Sequence, residues 1–254
     1  MAPPLILVSN DDGHFSDGIR SLASAMQGLG DVIVVAPEAE QSAASHAISL
    51  HRPLRIKEIR PQWYTVDGTP TDCAYLAINH ILRGRKPTLM VSGINHGSNL
   101  ADDVTYSGTV AAAMEASLLG VPAIALSLAT RELFEFEAAA RFARALAAAA
   151  LARPLPPGML LNVNIPPGEL RGYRLTRLGK HSYGFDVIEN VDPRGRKYYW
   201  IGGNDYAFED IPGTDCHAVL REGVVSVTPL HLDLTDEVMR TEMEGWALDG
   251  FERT

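Results

Sequence analysis

Short runs of mostly apolar, uncharged residues recur along the first two thirds of the chain, at residues 5–9, 32–37, 88–92, 121–128 and 159–166. Each ends abruptly in small or polar residues. Strands buried on both faces of a parallel sheet read this way. Between the first two runs the period becomes helical, with Ile19, Leu22, Met26 and Leu29 on one side, Asp17 as a cap and Gly30 as a stop. Strand, helix and strand in that order predict a right-handed βαβ unit. A short strand at 63–66 precedes Thr69, Pro70 and Asp72, which have capping-box spacing with Asp in place of Glu, and Tyr75, Leu76, Ile78, Asn79 and Leu82 follow as the helix face. A third helix opens at Ser107, Gly108 and Thr109 and ends near Gly120. A fourth is expected over 131–152, with Glu132, Glu135 and Glu137 in its first turns.

The prolines at 154, 156 and 157 mark the best boundary. The pattern predicts an α/β core over 1–153, and over 154–254 a continuation of the sheet with added elements. In that second part, strands are expected near 173–178 and an exposed two-stranded arm over 180–203, turning at 192–195 and carrying Tyr198, Tyr199 and Trp200. A short helix at 214–222, a strand at 224–228 and a final helix over 235–251 complete it. Thr235 should cap that helix, and Met239, Met243 and Trp246 run along one side. A two-stranded arm is marginal by itself, so it is expected to pack on another copy of the chain.

Composition narrows the function classes. The net charge of −9, with no basic run, argues against a nucleic-acid polymer as partner. The two cysteines, Cys73 and Cys216, have neither metal nor redox spacing and fit a reducing compartment. No basic leader precedes the first apolar run and no stretch is long enough to cross a bilayer, so a cytoplasmic location without membrane contact is expected.

Candidate chemistry gathers where the apolar runs stop. Asp11 and Asp12 follow the first strand directly, and in open parallel sheets ligands collect beyond the carboxyl ends of the strands. Two adjacent carboxylates there fit either a bound divalent cation or a solvated turn that caps the next helix. Ser42 and Ser45 lie on the small polar loop after the second strand. The glycine-rich stretch GINHGSN, with Asn95 and Asn99, follows the strand at 88–92 as a loop. Ser107, Gly108 and Thr109 place backbone N–H groups and hydroxyls at a helix start suited to phosphate, or simply to capping. No G-x-G-x-x-G stands between the first strand and helix, which disfavours the usual dinucleotide site.

The blocks SNDDG, APEAEQSA, DGTPTDC, VSGINHGSN, DDVTYSGTVAAAMEA and SVTPLHLDLTD occur in this order along nearly the whole chain, and together they resemble the stationary-phase survival protein family SurE. That resemblance implies a Rossmann-like, doubly wound, mostly parallel sheet, with a smaller C-terminal part that exchanges elements between subunits of a homodimer or homotetramer. It implies a metal-dependent phosphatase acting on nucleoside 5′-monophosphates, and also on short polyphosphate. It matches Asp11, Asp12, Ser42 and Asn95 to the ligands of one divalent cation per subunit, Mg²⁺ or Mn²⁺, with Ca²⁺ able to occupy the site. It matches Asn99, Ser107, Gly108 and Thr109 to the phosphate pocket, and Asp11 is the expected catalytic carboxylate. His14 and His96 border the pocket without an assigned role. The competing classes are a nucleoside hydrolase, which also has an N-terminal Asp cluster, and a non-catalytic receiver-like or nucleotide-binding module. Against a receiver, the segment Ser92-Gly93-Ile94-Asn95 replaces the phospho-accepting Asp expected after a later strand, and the chain is far too long.

Overall fold

A computed structural model describes residues 2–132, 134–183, 187–201 and 206–246. Its first half alternates strands and helices: β1 (Leu5–Ser9), α1 (Asp17–Met26), β2 (Asp31–Pro37), β3 (Ile56–Arg60), β4 (Trp63–Val66) and α2 (Pro70–Leu76). There follow β5 (Leu89–His96), α3 (Gly108–Leu118), β6 (Ala123–Leu128), α4 (Glu137–Ala152) and β7 (Met159–Ile165). The remainder contains β8 (Tyr173–Leu175), β9 (His181–Tyr183), β10 (Val187–Val191), β11 (Lys197–Ile201) and β12 (Tyr206–Phe208). It closes with α5 (Asp215–His217), β13 (Val225–His231) and α6 (Glu237–Glu242).

Nine strands join one sheet in the order β3-β4-β2-β1-β5-β6-β7-β13-β8. From β4 to β7 every neighbouring pair is parallel; β3 pairs antiparallel with β4, and β13 antiparallel with β7. The chain leaves β1 toward β2 and β4, then crosses back to place β5 on the other side of β1. The gap between β1 and β5 is therefore the topological switch point, where the loops diverge and leave a crevice.

Both faces of the sheet are covered, which is why its strands lack polar alternation. On one face Ile19, Leu22 and Met26 of α1 pack with Ala139, Ala143 and Ala147 of α4 over Ile6, Val8, Val91 and Ile124. On the other, Cys73, Ala74 and Ala77 meet Ala112, Ala113 and Ala116 of α3 over Leu5, Leu7 and Met90. α3 is buried on nearly all sides, and its alanines let it lie close against the strands.

Several local expectations change. Ser16, not Asp17, is the N-cap residue of α1; its hydroxyl accepts from Asn10 Nδ2 at 2.9 Å, while Asp17 sits in the first turn opposite Arg20. α1 also ends at Met26, short of Leu29 and Gly30. Of the expected helix face, Leu82 is buried and Leu76 and Ile78 pack against the core, while Tyr75, 41% exposed, and Asn79 face outward and Cys73, Ala74 and Ala77 make the deepest contacts. GINHGSN is not wholly a loop, because β5 continues through His96. α4 starts at Glu137 instead of 131: Phe136, buried, and Phe134, at the surface, both pack on the His96 ring before the helix begins, leaving Glu132 and Glu135 outside its first turn. The terminal helix is capped by Asp236, which accepts from Met239 N at 2.9 Å, and it runs only Glu237–Glu242 before a tighter turn at Met243–Gly245. The expected continuation to 251 lies outside the described residues. The capping box at Thr69 and Asp72 forms as expected, with Pro70 in the first helical position.

Candidate active site

A cavity of about 650 Å³ opens at the switch point. Asp11, Asp12, Ser42, Asn95, Asn99 and Ser107 line it, which brings together six residues singled out in the sequence. Gly108 and Thr109 stand behind Asp11 and do not form the cavity wall. The walls also include His96, expected at the pocket border, and Glu40, Asp103, Tyr106, Arg131 and Phe208, which the sequence motifs do not single out.

Each element brings its residue for a local reason. β1 ends at Ser9, so Asp11 emerges at the carboxyl edge of the sheet, 6% exposed. The Ser42 loop is tied down at separate points: Gln41 N donates to the Asp11 carbonyl at 2.8 Å, Ser45 N to the Tyr106 carbonyl at 3.0 Å, and His46 Nε2 faces Glu115 Oε2 at 2.8 Å. Along β5, Ser92 pairs with Ala125 but Asn95 with Ser127, one extra residue on β5 against β6. Such a bulge re-aims the side chains beyond it, here Asn95. Its Nδ2 is spent on the Gly97 carbonyl at 3.0 Å, and the amide oxygen is the group it offers.

At the start of α3, the Ser107 hydroxyl accepts from Val110 N at 3.1 Å and is the helix cap. The Thr109 hydroxyl donates to Asp11 Oδ1 and is fully buried. Burial pushes Asp11 up to about 6, the Thr109 hydrogen bond opposes this, and the negative charge of Asp12 adds to it. Asp12 Oδ2 lies 2.9 Å from His96 Nδ1, and that contact, against the cost of burial, raises the imidazole above its ordinary value. The His96 ring is held edge-on by Phe134 and Phe136, with centroids 4.7 and 4.9 Å away. His14 lies off the cavity wall, its ring against Phe15.

Four carboxylates, Asp11, Asp12, Glu40 and Asp103, line a space that also contains Arg131 and His96. Ser42 Oγ donates to Glu40 Oε1 at 2.6 Å and keeps lone pairs to offer. The donors of Asp11, Asp12, Ser42 and Asn95 are all oxygen and two are acidic, a set that fits a hard divalent cation. A cation there would offset both the burial cost and the Asp12 repulsion that raise Asp11, and would make the cavity acceptable to an anion. Asn99, 7% exposed, has its Nδ2 on Ser127 Oγ at 2.7 Å, which leaves the second N–H of the same amide.

The family model described as Survival protein SurE matches residues 6–185. The chain is 68% identical over 252 residues to the 5′-nucleotidase SurE of Myxococcus xanthus, covering 99% of this chain and 96% of that protein. It is 59% identical over 249 residues to the 5′-nucleotidase SurE of Anaeromyxobacter dehalogenans, covering 98% of each. The crystal structure of the SurE protein from Aquifex aeolicus superposes with a TM-score of 0.86 at 44% identity, over 95% of this chain and 99% of that one.

Proposed function

The chain belongs to the SurE family and is a 5′-nucleotidase, and we propose that it works as a divalent-cation-dependent phosphatase that hydrolyses nucleoside 5′-monophosphates to nucleoside and phosphate. The observation that carries this reading is the placement of Asp11. It is a buried carboxylate pushed up to about 6, beside Asp12 and against the first turn of α3, at the switch point of a parallel sheet.

In this reading Asp11, Asp12, Ser42 and Asn95 hold one Mg²⁺ or Mn²⁺, with Ca²⁺ as a non-reactive competitor. When bound, the cation polarises the phosphoryl oxygens and lowers the pKa of water. The protein supplies the remainder. Asp11 is the reactive carboxylate, either taking a proton from the attacking water or attacking phosphorus itself. Thr109 fixes its rotamer. The first turn of α3, opened by Ser107 and Gly108, directs its positive end at the transferring phosphoryl group, and Asn99 donates to a phosphoryl oxygen. Tyr106 and Phe208 give the cavity aromatic surface for the nucleoside side of the substrate. Short polyphosphate shares the phosphoryl chemistry and is included as a second substrate class.

The assembly reading is a homodimer or homotetramer that exchanges elements of the C-terminal part. Its support is the β10–β11 hairpin, on which Val187, Ile188, Val191, Tyr199, Trp200 and Ile201 are each 48% or more exposed. Lone hairpins with such surfaces are covered when stable. No described helix is long and apolar enough to cross a membrane.

The test is phosphate release from a panel of nucleoside 5′-monophosphates with Mn²⁺, Mg²⁺ or EDTA, for wild type and Asp11→Asn. Cation-dependent release, lost with EDTA and with the substitution, is expected. Free base in place of free phosphate would convert the reading to a nucleoside hydrolase, and neither product from folded protein would leave a binding module.

A further inference from the structure

The turn that carries Asn99 to the cavity is held from the second half of the sheet by side chains that never reach the cavity. Asn164, on β7, uses its amide as a second strand would: its Oδ1 accepts from Asn99 N at 2.8 Å, and its Nδ2 donates to the Asn99 carbonyl at 2.9 Å. Asn162, two residues earlier and on the same face of β7, donates its Nδ2 to that carbonyl as well, at 2.9 Å. On β6, Ser127 takes the Asn99 side chain. Asn162, Asn164 and Ser127 are each 0% exposed. One residue facing the ligand thus has its backbone N–H, its backbone C=O and its side-chain amide each assigned a buried partner.

Two asparagines on a strand inside an apolar sheet are costly unless their groups are paired. Here both ends of the Asn164 amide and the Nδ2 of Asn162 are paired to a single turn, the Asn162 Oδ1 being left without a partner among the described residues, and only the observed orientation of the Asn164 amide satisfies both Asn99 groups at once. We propose that Asn164 is a positioning residue for the hydrolysis, its side-chain amide pairing with both backbone groups of Asn99 and so fixing the direction in which the Asn99 amide meets the phosphoryl group. Asn162 reinforces it through the shared carbonyl. The inference rests on the phosphatase reading given above and adds to it a residue outside the cavity.

The experiment measures kcat and KM for a nucleoside 5′-monophosphate, and the inhibition constant of inorganic phosphate, in wild type, Asn164→Ala, Asn164→Asp, Asn99→Ala and the double variant Asn99→Ala with Asn164→Ala. Amide hydrogen exchange over residues 97–101 is recorded in parallel. Asn164→Asp keeps the acceptor for Asn99 N–H and loses the donor to its carbonyl, so its effect is expected to fall in the same direction as that of Asn164→Ala. The expected result is a rise of roughly tenfold in KM and in the phosphate inhibition constant for the Asn164 variants, with faster exchange confined to 97–101. The Asn164 substitution should then add less than about twofold when Asn99 is already alanine, because residues acting through one group are not additive. An active wild type whose Asn164 variants keep KM and the phosphate constant within about twofold overturns the inference alone, as does a double variant whose losses multiply. A wild type inert toward every nucleotide overturns the phosphatase reading and the inference with it. Should Asn164→Ala not fold, Asn164→Asp and the exchange data decide.

Discussion

A Cβ on Gly108 would stand 2.8 Å from the Cβ of Asp11 and 3.0 Å from its Oδ2. At Gly108, helix α3 therefore meets the Cβ and Oδ2 side of the reactive carboxylate with bare backbone, while Thr109 holds Oδ1, which is how its first turn comes so close to the place where charge develops. At most helix positions Gly→Ala stabilises, by about 0.4–1 kcal/mol. At Gly108 the sign should reverse. Gly108→Ala is expected to destabilise by about 1–3 kcal/mol through overpacking and to cut phosphate release by at least roughly tenfold, read from urea unfolding and steady-state rates. A variant as stable and as active as wild type would show that Asp11 has room to move.

Asp11 yields a pH prediction. Burial raises it from 3.8 to about 6 in the folded chain, so between those values the folded state binds a proton that the unfolded state has lost. Stability of the cation-free protein must then fall as pH rises through this window and stay lower above it. Asp11→Asn still gives the Thr109 hydroxyl an acceptor but has no charge to bury. In EDTA at pH 7.5 it should be more stable than wild type by about 1–3 kcal/mol, with the difference closing near pH 4. Equal urea midpoints at both pH values would refute this.

Assembly can be tested on the hairpin. Trp200 and Ile201 are 64% and 90% exposed in the single chain. Sedimentation velocity should give a dimer or tetramer for wild type and a smaller species for the double change Trp200→Glu and Ile201→Glu. A monomeric wild type at micromolar concentration removes the hairpin as an interface.

The cysteines should be silent. Cys73 is 0% and Cys216 2% exposed, and burial pushes both thiols up, away from the reactive thiolate. Ellman's reagent is expected to titrate neither in native protein and both in denaturant, and fast native labelling would contradict the packing around α2 and α5.

Much of this architecture was legible because burial on two faces writes a simple pattern. The runs ending at Ser9, Pro37 and Leu128 are strands where the apolar stretches predicted them, and Thr69 with Asp72 forms the box its spacing implied. Asp11, Asp12, Ser42 and Asn95 could be grouped since each follows or ends a strand at one sheet edge. Other features arise from contacts between distant segments and leave no local mark. The bulge that extends β5 to His96 depends on its pairing with β6. The late start of α4 reflects Phe134 and Phe136 turning onto His96. Glu40 reaches the cavity from a loop and Asp103 from the short 3-10 turn Ala101–Thr105, segments whose composition alone reads as solvated turn. Asn162 and Asn164 interrupt an otherwise apolar strand, a signal that their amides are used, though the sequence does not say that Asn99 uses them.

The turn at residues 99–101 is also gripped by Asp215, a fully buried carboxylate that accepts from Ala101 N at 2.9 Å, Gly179 N at 2.7 Å and Cys216 N at 2.8 Å. A ribosome delivers Asp11, Asn95 and Ser107 long before it delivers Asn164 and Asp215. A growing chain that already contains every residue assigned to the phosphate and the cation still lacks the clamps that set the turn in place. Activity is thereby tied to the completion of synthesis, and a chain released early is expected to be silent rather than partly active.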